Sequence, residues 1–209
     1  MRKFIIAAVL LAVLPTGNMQ ACVSEGPTHN KYMFSVFRRD AMDGPAYLAD
    51  INQYWIDYCK GRIAADDYDR TGYTFYNNHR SEVLKVAQAK GDQAMAAYLK
   101  LLNRYIDVCD LFTVDRWSYP TKEQLATRKQ KALAILNAAK AYRGTQLRQQ
   151  YTLLQMRANM ILGYDLANAN LWNQHVKRFG KSCWREAMQN IYARTLYKSG
   201  KRLEACDQY

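Results

Sequence analysis

The residues best placed to do chemistry are Asp66, Asp67 and Asp69 in "DDYDR", with His79 ten positions beyond the last of them. Clustered carboxylates can hold a cation or, beside an imidazole, exchange protons. The stretch lacks the central glycine and distal glutamate of a calcium loop, and Arg70 is at hand to neutralise it. A solvated loop is the simpler reading. A thiol nucleophile would need Cys59 or Cys109 beside His29 or His79, and no local signature marks such a pair. Each of these cysteines falls on an apolar helical face, where a small buried hydrophobe is the commoner role. There is no C-x-x-C pair, and the three histidines (His29, His79, His175) have no second ligand at helical spacing. No metal centre and no cofactor is expected from that pattern. No catalytic residue is assigned, and the chain reads as a non-enzyme.

The elements that would position these groups are helices. "PAYLADINQYWIDYCKGR" reads as a helix that starts at Pro45 and stops near Gly61, and "AADDYDRTGYTFYNNHR" as a polar loop with a short helix. "TKEQLATRKQKALAILNAAKAY" follows Pro120, opens on Thr121 with Glu123 behind it, and has the form of a capped start. Its apolar face is expected from Leu125, Ala132, Leu133, Ile135, Leu136 and Ala139. Three more helices follow, on Leu147–Ile161, Leu166–Val176 and Trp184–Leu196, ended by Gly163, Gly180 and Gly200, and "KRLEACDQY" begins a fifth. Ahead of these, Tyr32 to Phe37 alternate as an extended segment, and "DRWSYP" (115–120) reads as a connector.

The last helices repeat. Gly163 and Gly200 are 37 residues apart, as are Leu166 and Leu203, and Trp172 and Tyr209. Two helix-Gly-helix units at one offset mark a helical repeat. Ala193, Gly200, Ala205 and Tyr209, with Gly163 and Trp172 in part, resemble the tetratricopeptide repeat. Asn168 stands where that pattern has Ala, and Asn159 where it has a large apolar residue. "VLKVAQAKGDQAMAAYLK", with Gly91 and Ala96, is a degenerate third copy. The resemblance implies an all-α fold of hairpins stacked as a solenoid over 119–209, its last unit incomplete, behind a less regular region at 22–118. A repeat helix buries its face only under the next one, so Leu203, Ala205, Cys206 and Tyr209 are expected to dock on the preceding helix, and the chain reads as the start of a longer solenoid. Cys183 and Cys206 flank one hairpin. At about 1.5 Å of rise per residue they stand roughly 16 Å apart along it, beyond the roughly 7 Å limit for bridged Cα atoms. They are expected to stay unbridged, with Cys206 in the packing.

The N-terminus carries an address. Arg2 and Lys3, the apolar run Phe4–Leu14 and the boundary Ala21-Cys22 have the layout of a secretory signal peptide over 1–21. The run is about half the roughly 20 residues of a spanning helix. Met19-Gln20-Ala21-Cys22 resembles a lipobox, departing from it at Gln20, and implies a bacterial lipoprotein lipidated on Cys22 and held at the cell envelope, most simply the outer membrane; a soluble periplasmic protein is the alternative. "THNKYMFSVFRR" after a Cys, with "NQYW", "GD…YLK" and "RANMILG…W" downstream, resembles a group of exported, helix-rich bacterial proteins, a likeness that brings no activity with it. From Cys22 onward there are 28 basic and 18 acidic side chains, a net charge of +10. Location and the spread of these charges argue against nucleic acid as the partner.

Three function classes follow. A scaffold for a protein or peptide partner would offer Arg157, Asn159, Asn168, Asn170 and Asn173 from a concave surface. A glycan or cell-wall binder would expose a row of its sixteen Tyr and four Trp. An enzyme would bury a carboxylate pair.

Overall fold

Helix starts are written plainly into the chain. Asp66, Asp92, Thr121 and Ser182 each sit at an N-cap, and each side chain accepts an amide three residues on. Thr121 and Gln124 bond each other reciprocally as a full capping box, which satisfies two of the amides a helix start leaves without partners. The computed structural model describes residues 46–72, 74–111 and 119–208. Among them are ten α-helices and no strand: α1 (Ala46–Tyr58), α2 (Asp67–Thr71), α3 (Phe75–Asn78), α4 (Arg80–Ala89), α5 (Gln93–Asp110), α6 (Lys122–Ala141), α7 (Arg148–Leu162), α8 (Asp165–Gln174), α9 (Cys183–Lys198) and α10 (Arg202–Cys206). The fold is all-α. The signal peptide, Cys22, His29, the extended segment at 32–37, most of the 115–120 connector and Tyr209 lie outside the described residues.

Three turns share one geometry. Gly91, Gly163 and Gly200 end α4, α7 and α9 with φ of 68°, 76° and 83°, a left-handed conformation that glycine adopts without strain. In each, the glycine amide bonds a carbonyl three residues back, and the next amide bonds one five back. The bonds are Gly91 to Gln88 and Asp92 to Ala87, Gly163 to Met160 and Tyr164 to Asn159, and Gly200 to Tyr197 and Lys201 to Leu196. This is the Schellman closure, and a new helix begins at once beyond it. The repeated glycines therefore mark a repeated turn.

The helices pack mostly as sequential neighbours: α4 on α5, α5 on α6, α6 on α7, α7 on α8, α8 on α9 and α9 on α10. α5 and α6 meet across the 118/119 boundary expected between the two regions, and all the described residues fall in one compact unit. α7 lies in the middle, touching α5, α6, α8 and α9, and eight of its residues from Gln150 to Asn159 are buried. One contact is far from local: α1 packs on α9, and Asn190 of α9 donates to the Tyr47 hydroxyl at 3.0 Å. A stack in which each unit touches only the next would keep these two helices apart.

Some expected faces are corrected. In α6 the buried stripe is Ala132, Ile135, Leu136 and Ala139; Leu125 and Leu133 are 40% and 43% exposed, because the stripe continues toward the N-terminus through Arg128 and not through either leucine. Of the described residues expected to dock α10, only Ala205 is buried. Leu203 is 85% exposed, and Cys206 is exposed too. Cys59, Cys109, Cys183 and Cys206 are all free thiols.

Candidate functional site

Trp55 of α1 is the centre of an aromatic cluster. Tyr54, Tyr58, Tyr76 and Trp184 surround it with ring centroids at 5.0, 6.4, 4.7 and 6.2 Å, mostly edge to face, the arrangement that aromatic quadrupoles favour. These rings come from α1, α3 and α9 and join the elements that meet there. Beside the cluster opens a cavity of about 360 Å³, near the lower end of the roughly 300–1,000 Å³ range of small-ligand sites. Trp55, Tyr76, Tyr98, Tyr105 and Trp184 line it, with Leu102 and Ile106 as further apolar lining and Asn52 and Asn77 as polar points.

Among the described residues, the one charged side chain on that wall is Arg157, half-buried on α7 with its guanidinium over the Tyr105 ring at 6.0 Å. Among the described residues no carboxylate lies within ion-pair distance of it. Its field reaches the neighbouring phenols. Burial pushes Tyr98 and Tyr105 well above their ordinary range, Cys109 adds to the rise at Tyr105, and Arg157 opposes it at both. A guanidinium facing apolar rings with no acid opposite is a half-made ion pair.

Behind Asn52 lies the acidic stretch. Asn52 is buried and bridges two short helices: its Nδ2 donates to the Asp69 carbonyl at 2.9 Å, and its Oδ1 accepts from the Phe75 amide at 3.1 Å. Asp69 is 2% exposed. Its carboxylate receives Asn78 Nδ2 at 2.8 Å and stands 3.0 Å from His79 Nε2. Burial pushes this carboxyl up, but the bonds from Asn78 and His79, with a backbone bond at Asp66, outweigh it and leave Asp69 below its ordinary value. The sequence cluster thus separates into roles: Asp69 pairs with His79, Asp66 caps α2, and Asp67 is exposed. Together they hold α2 and α3 against α1. Cys59 is fully buried, and burial raises its thiol, while the His79 ring is engaged by Asp69. The two form no nucleophile pair.

The expected partner contacts divide. Asn170 and Asn173 are exposed on α8, and Arg157 lines the cavity. Asn159 and Asn168, expected to face a partner, are 1% and 0% exposed. Asn159 Nδ2 donates to Asn168 Oδ1 at 2.9 Å, and Asn168 Nδ2 to the Met156 carbonyl at 3.1 Å. The correction has a geometric cause. Counted from the turn glycine, Asn159 and Asn168 occupy the positions of Ala87 and Ala96 in one turn and Leu196 and Ala205 in another, all buried. Asn159 Oδ1 has no donor partner, so the pair is only partly satisfied. Asn168→Ala alone strands Asn159 and is expected to cost about 1–3 kcal/mol. Asn159→Leu with Asn168→Ala, which copies the third turn, is expected to recover most of that loss, as read by urea denaturation.

The aromatic cavity was not foreseen. Trp55, Tyr98, Tyr105 and Trp184 sit at apolar helical spacing, a signal shared by every core residue. Among the described residues, large aromatics exposed to water are scattered: Tyr68, Tyr119, Tyr164 and Tyr197 lie on α2, before α6, before α8 and on α9, and they form no row along one element.

Compared with known proteins, the chain matches no family model, no curated protein and no solved structure. Among the described residues no helix is long and apolar enough to cross a membrane, and no group of three or more His, Cys, Asp or Glu could hold a metal ion.

Proposed function

We propose that the protein is an exported helical-repeat scaffold, tetratricopeptide-like in its stacked hairpins and tethered to the cell envelope by lipid on Cys22, that binds an acidic segment of a partner polypeptide. The partner inserts an apolar or aromatic side chain into the cavity and sets a carboxylate on Arg157. The observation that carries this reading is the guanidinium itself. A half-buried cation is ordinarily paired, and this one faces a ring-lined hollow instead. Anchor side chains in desolvated pockets supply most of the affinity in polypeptide recognition, and a planar guanidinium selects carboxylate geometry. The net charge of +10 from Cys22 onward favours an acidic partner at longer range.

The binding reading is tested with a photo-crosslinking residue at Asn77, which is exposed on the cavity wall. The full-length protein should yield a polypeptide adduct whose cross-linked segment is acidic and contains an apolar anchor. Arg157→Glu should abolish the adduct while leaving the melting temperature within a few degrees. An adduct that survives Arg157→Glu undiminished removes Arg157 from recognition. The tether is tested separately: intact mass of the membrane-extracted protein should show a lipid-modified chain beginning at Cys22. An unmodified mature chain would refute it.

A further inference from the structure

A second cavity, of about 330 Å³, lies along the N-terminal half of the same α7. Its wall is made by the last turn of α6, the Tyr142–Thr145 loop, the first two turns of α7 and the end of α8. Among the described residues, the ionisable groups there are Lys140, Arg143, Arg148 and His175 beside the phenols of Tyr142 and Tyr151, and no Asp or Glu lines it. Among the described residues, none of the three permanent cations has a carboxylate within ion-pair distance.

Two of these cations have a local explanation. Lys140 and Arg143 stand at the C-terminus of α6, where the helix field favours positive charge, and Arg143 donates to the Lys140 carbonyl. Arg148 has the opposite setting. It opens α7 at the end where positive charge is disfavoured, and its guanidinium lies over the Phe179 ring at 5.8 Å. That helix start has no acidic residue in its first turn and no side-chain cap from Leu147. The back of the cavity is stiff: Tyr142 stacks on Tyr151 with centroids 3.9 Å apart, and the Leu147 amide donates to the Tyr142 hydroxyl at 3.2 Å. A cavity lined by two guanidinium groups and an ammonium, with no carboxylate among its described lining residues, has the charge pattern of a phosphate site.

We propose that this cavity binds a phosphate-bearing anion. The phosphoryl oxygens sit between Arg148 and Lys140, and the body of the ligand lies along the stacked tyrosines. The site is separate from the Arg157 cavity and does not depend on the polypeptide-binding reading. The same chemistry is offered by a small phosphomonoester and by the headgroup of an anionic phospholipid, and the test separates them.

The full chain is titrated with glycerol 3-phosphate, followed by ³¹P line broadening. It is also titrated with vesicles of phosphatidylcholine, with and without phosphatidylglycerol. Saturable broadening that Arg148→Gln weakens by about tenfold or more, and Arg157→Gln leaves unchanged, supports the site with a small phosphomonoester as ligand. Vesicle binding that needs phosphatidylglycerol and is lost in Arg148→Gln, with no glycerol 3-phosphate binding, supports it with a headgroup as ligand. Both Arg148 and Lys140 are exposed, so the glutamine variants keep the fold, and Lys140→Gln serves as the second variant. No binding to either probe, or binding that both glutamine variants leave unaltered, overturns the proposal.

Discussion

Trp55→Ala is expected to lower the unfolding free energy by about 3–5 kcal/mol, the largest effect of any single substitution considered for this chain. Trp55 is 3% exposed and meets rings from α1, α3 and α9, so truncating it removes the contacts of three elements at once. The surrounding rings are large and mutually braced. Tyr54 and Trp184 stand edge to face with centroids at 5.2 Å, and such a wall closes poorly over a gap. The cost should therefore fall toward the upper part of the range. Urea denaturation followed by helicity gives the number. A loss below about 1 kcal/mol, well under the usual cost of truncating a buried tryptophan, would mean that α1 collapses into the space and that the cluster is not what joins α1 to α9.

Asp69→Asn is the second large effect, and its signature is in the pH dependence. The Asp69 carboxyl is held below its ordinary value in the folded chain, since the bonds from Asn78 and His79 outweigh the effect of burial. A group whose folded pKa is depressed stabilises the fold above its unfolded value, near 3.8, and that stability disappears as pH falls through the lower folded value. The asparagine amide cannot carry the charge. The variant should be weaker by about 2 kcal/mol at neutral pH, the usual size of a lost charge-assisted bond. The gap between the two proteins should then narrow through the acidic limb below about pH 4. Equal destabilisation of the variant at neutral pH and at the foot of that acidic limb would show that Asp69 acts by shape and not by charge.

The sequence made the helices legible because caps and stops are local. Thr121, and Gly163 and Gly200, act within one turn of where they stand, and their helices lie where the pattern places them, although the residue that answers Thr121 is Gln124 and not the Glu123 read from the sequence. The interior of α7 was less legible. Its run "RQQYTLLQMRANM" is polar enough for a surface helix, yet four helices cover it, and several of its polar groups turn to partners within the protein. Thr152 Oγ1 bonds the Arg148 carbonyl at 2.7 Å, and Gln155 Nε2 reaches the Ala139 carbonyl at 3.3 Å. Burial depends on how many neighbours arrive, which no window of local sequence records. The same limit misplaced Asn159 and Asn168, read as open to a partner when they answer each other. For the candidate site, Arg157 was visible as a residue, but the rings opposite it come from α1, α3, α5 and α9. Asp69 and His79 were named together because they are close in the chain; that Asn52 ties them to α1 could be learned only from the fold.

The packing of α1 on α9 bears on the order of assembly. The bond between Tyr47 and Asn190 joins residues 143 positions apart, whereas the glycine-closed hairpins join residues only a few positions apart. Loop-closure entropy grows with the length closed, and chains rich in distant contacts fold more slowly. The hairpins can form early and by themselves; the docking of α1 must wait for them. Since α1 supplies Asn52 and Trp55 to the aromatic cavity and α9 supplies Trp184, the cavity does not exist until that last closure is made. Mild denaturant that loosens α1 would then undo the cavity while most of the helices remain folded.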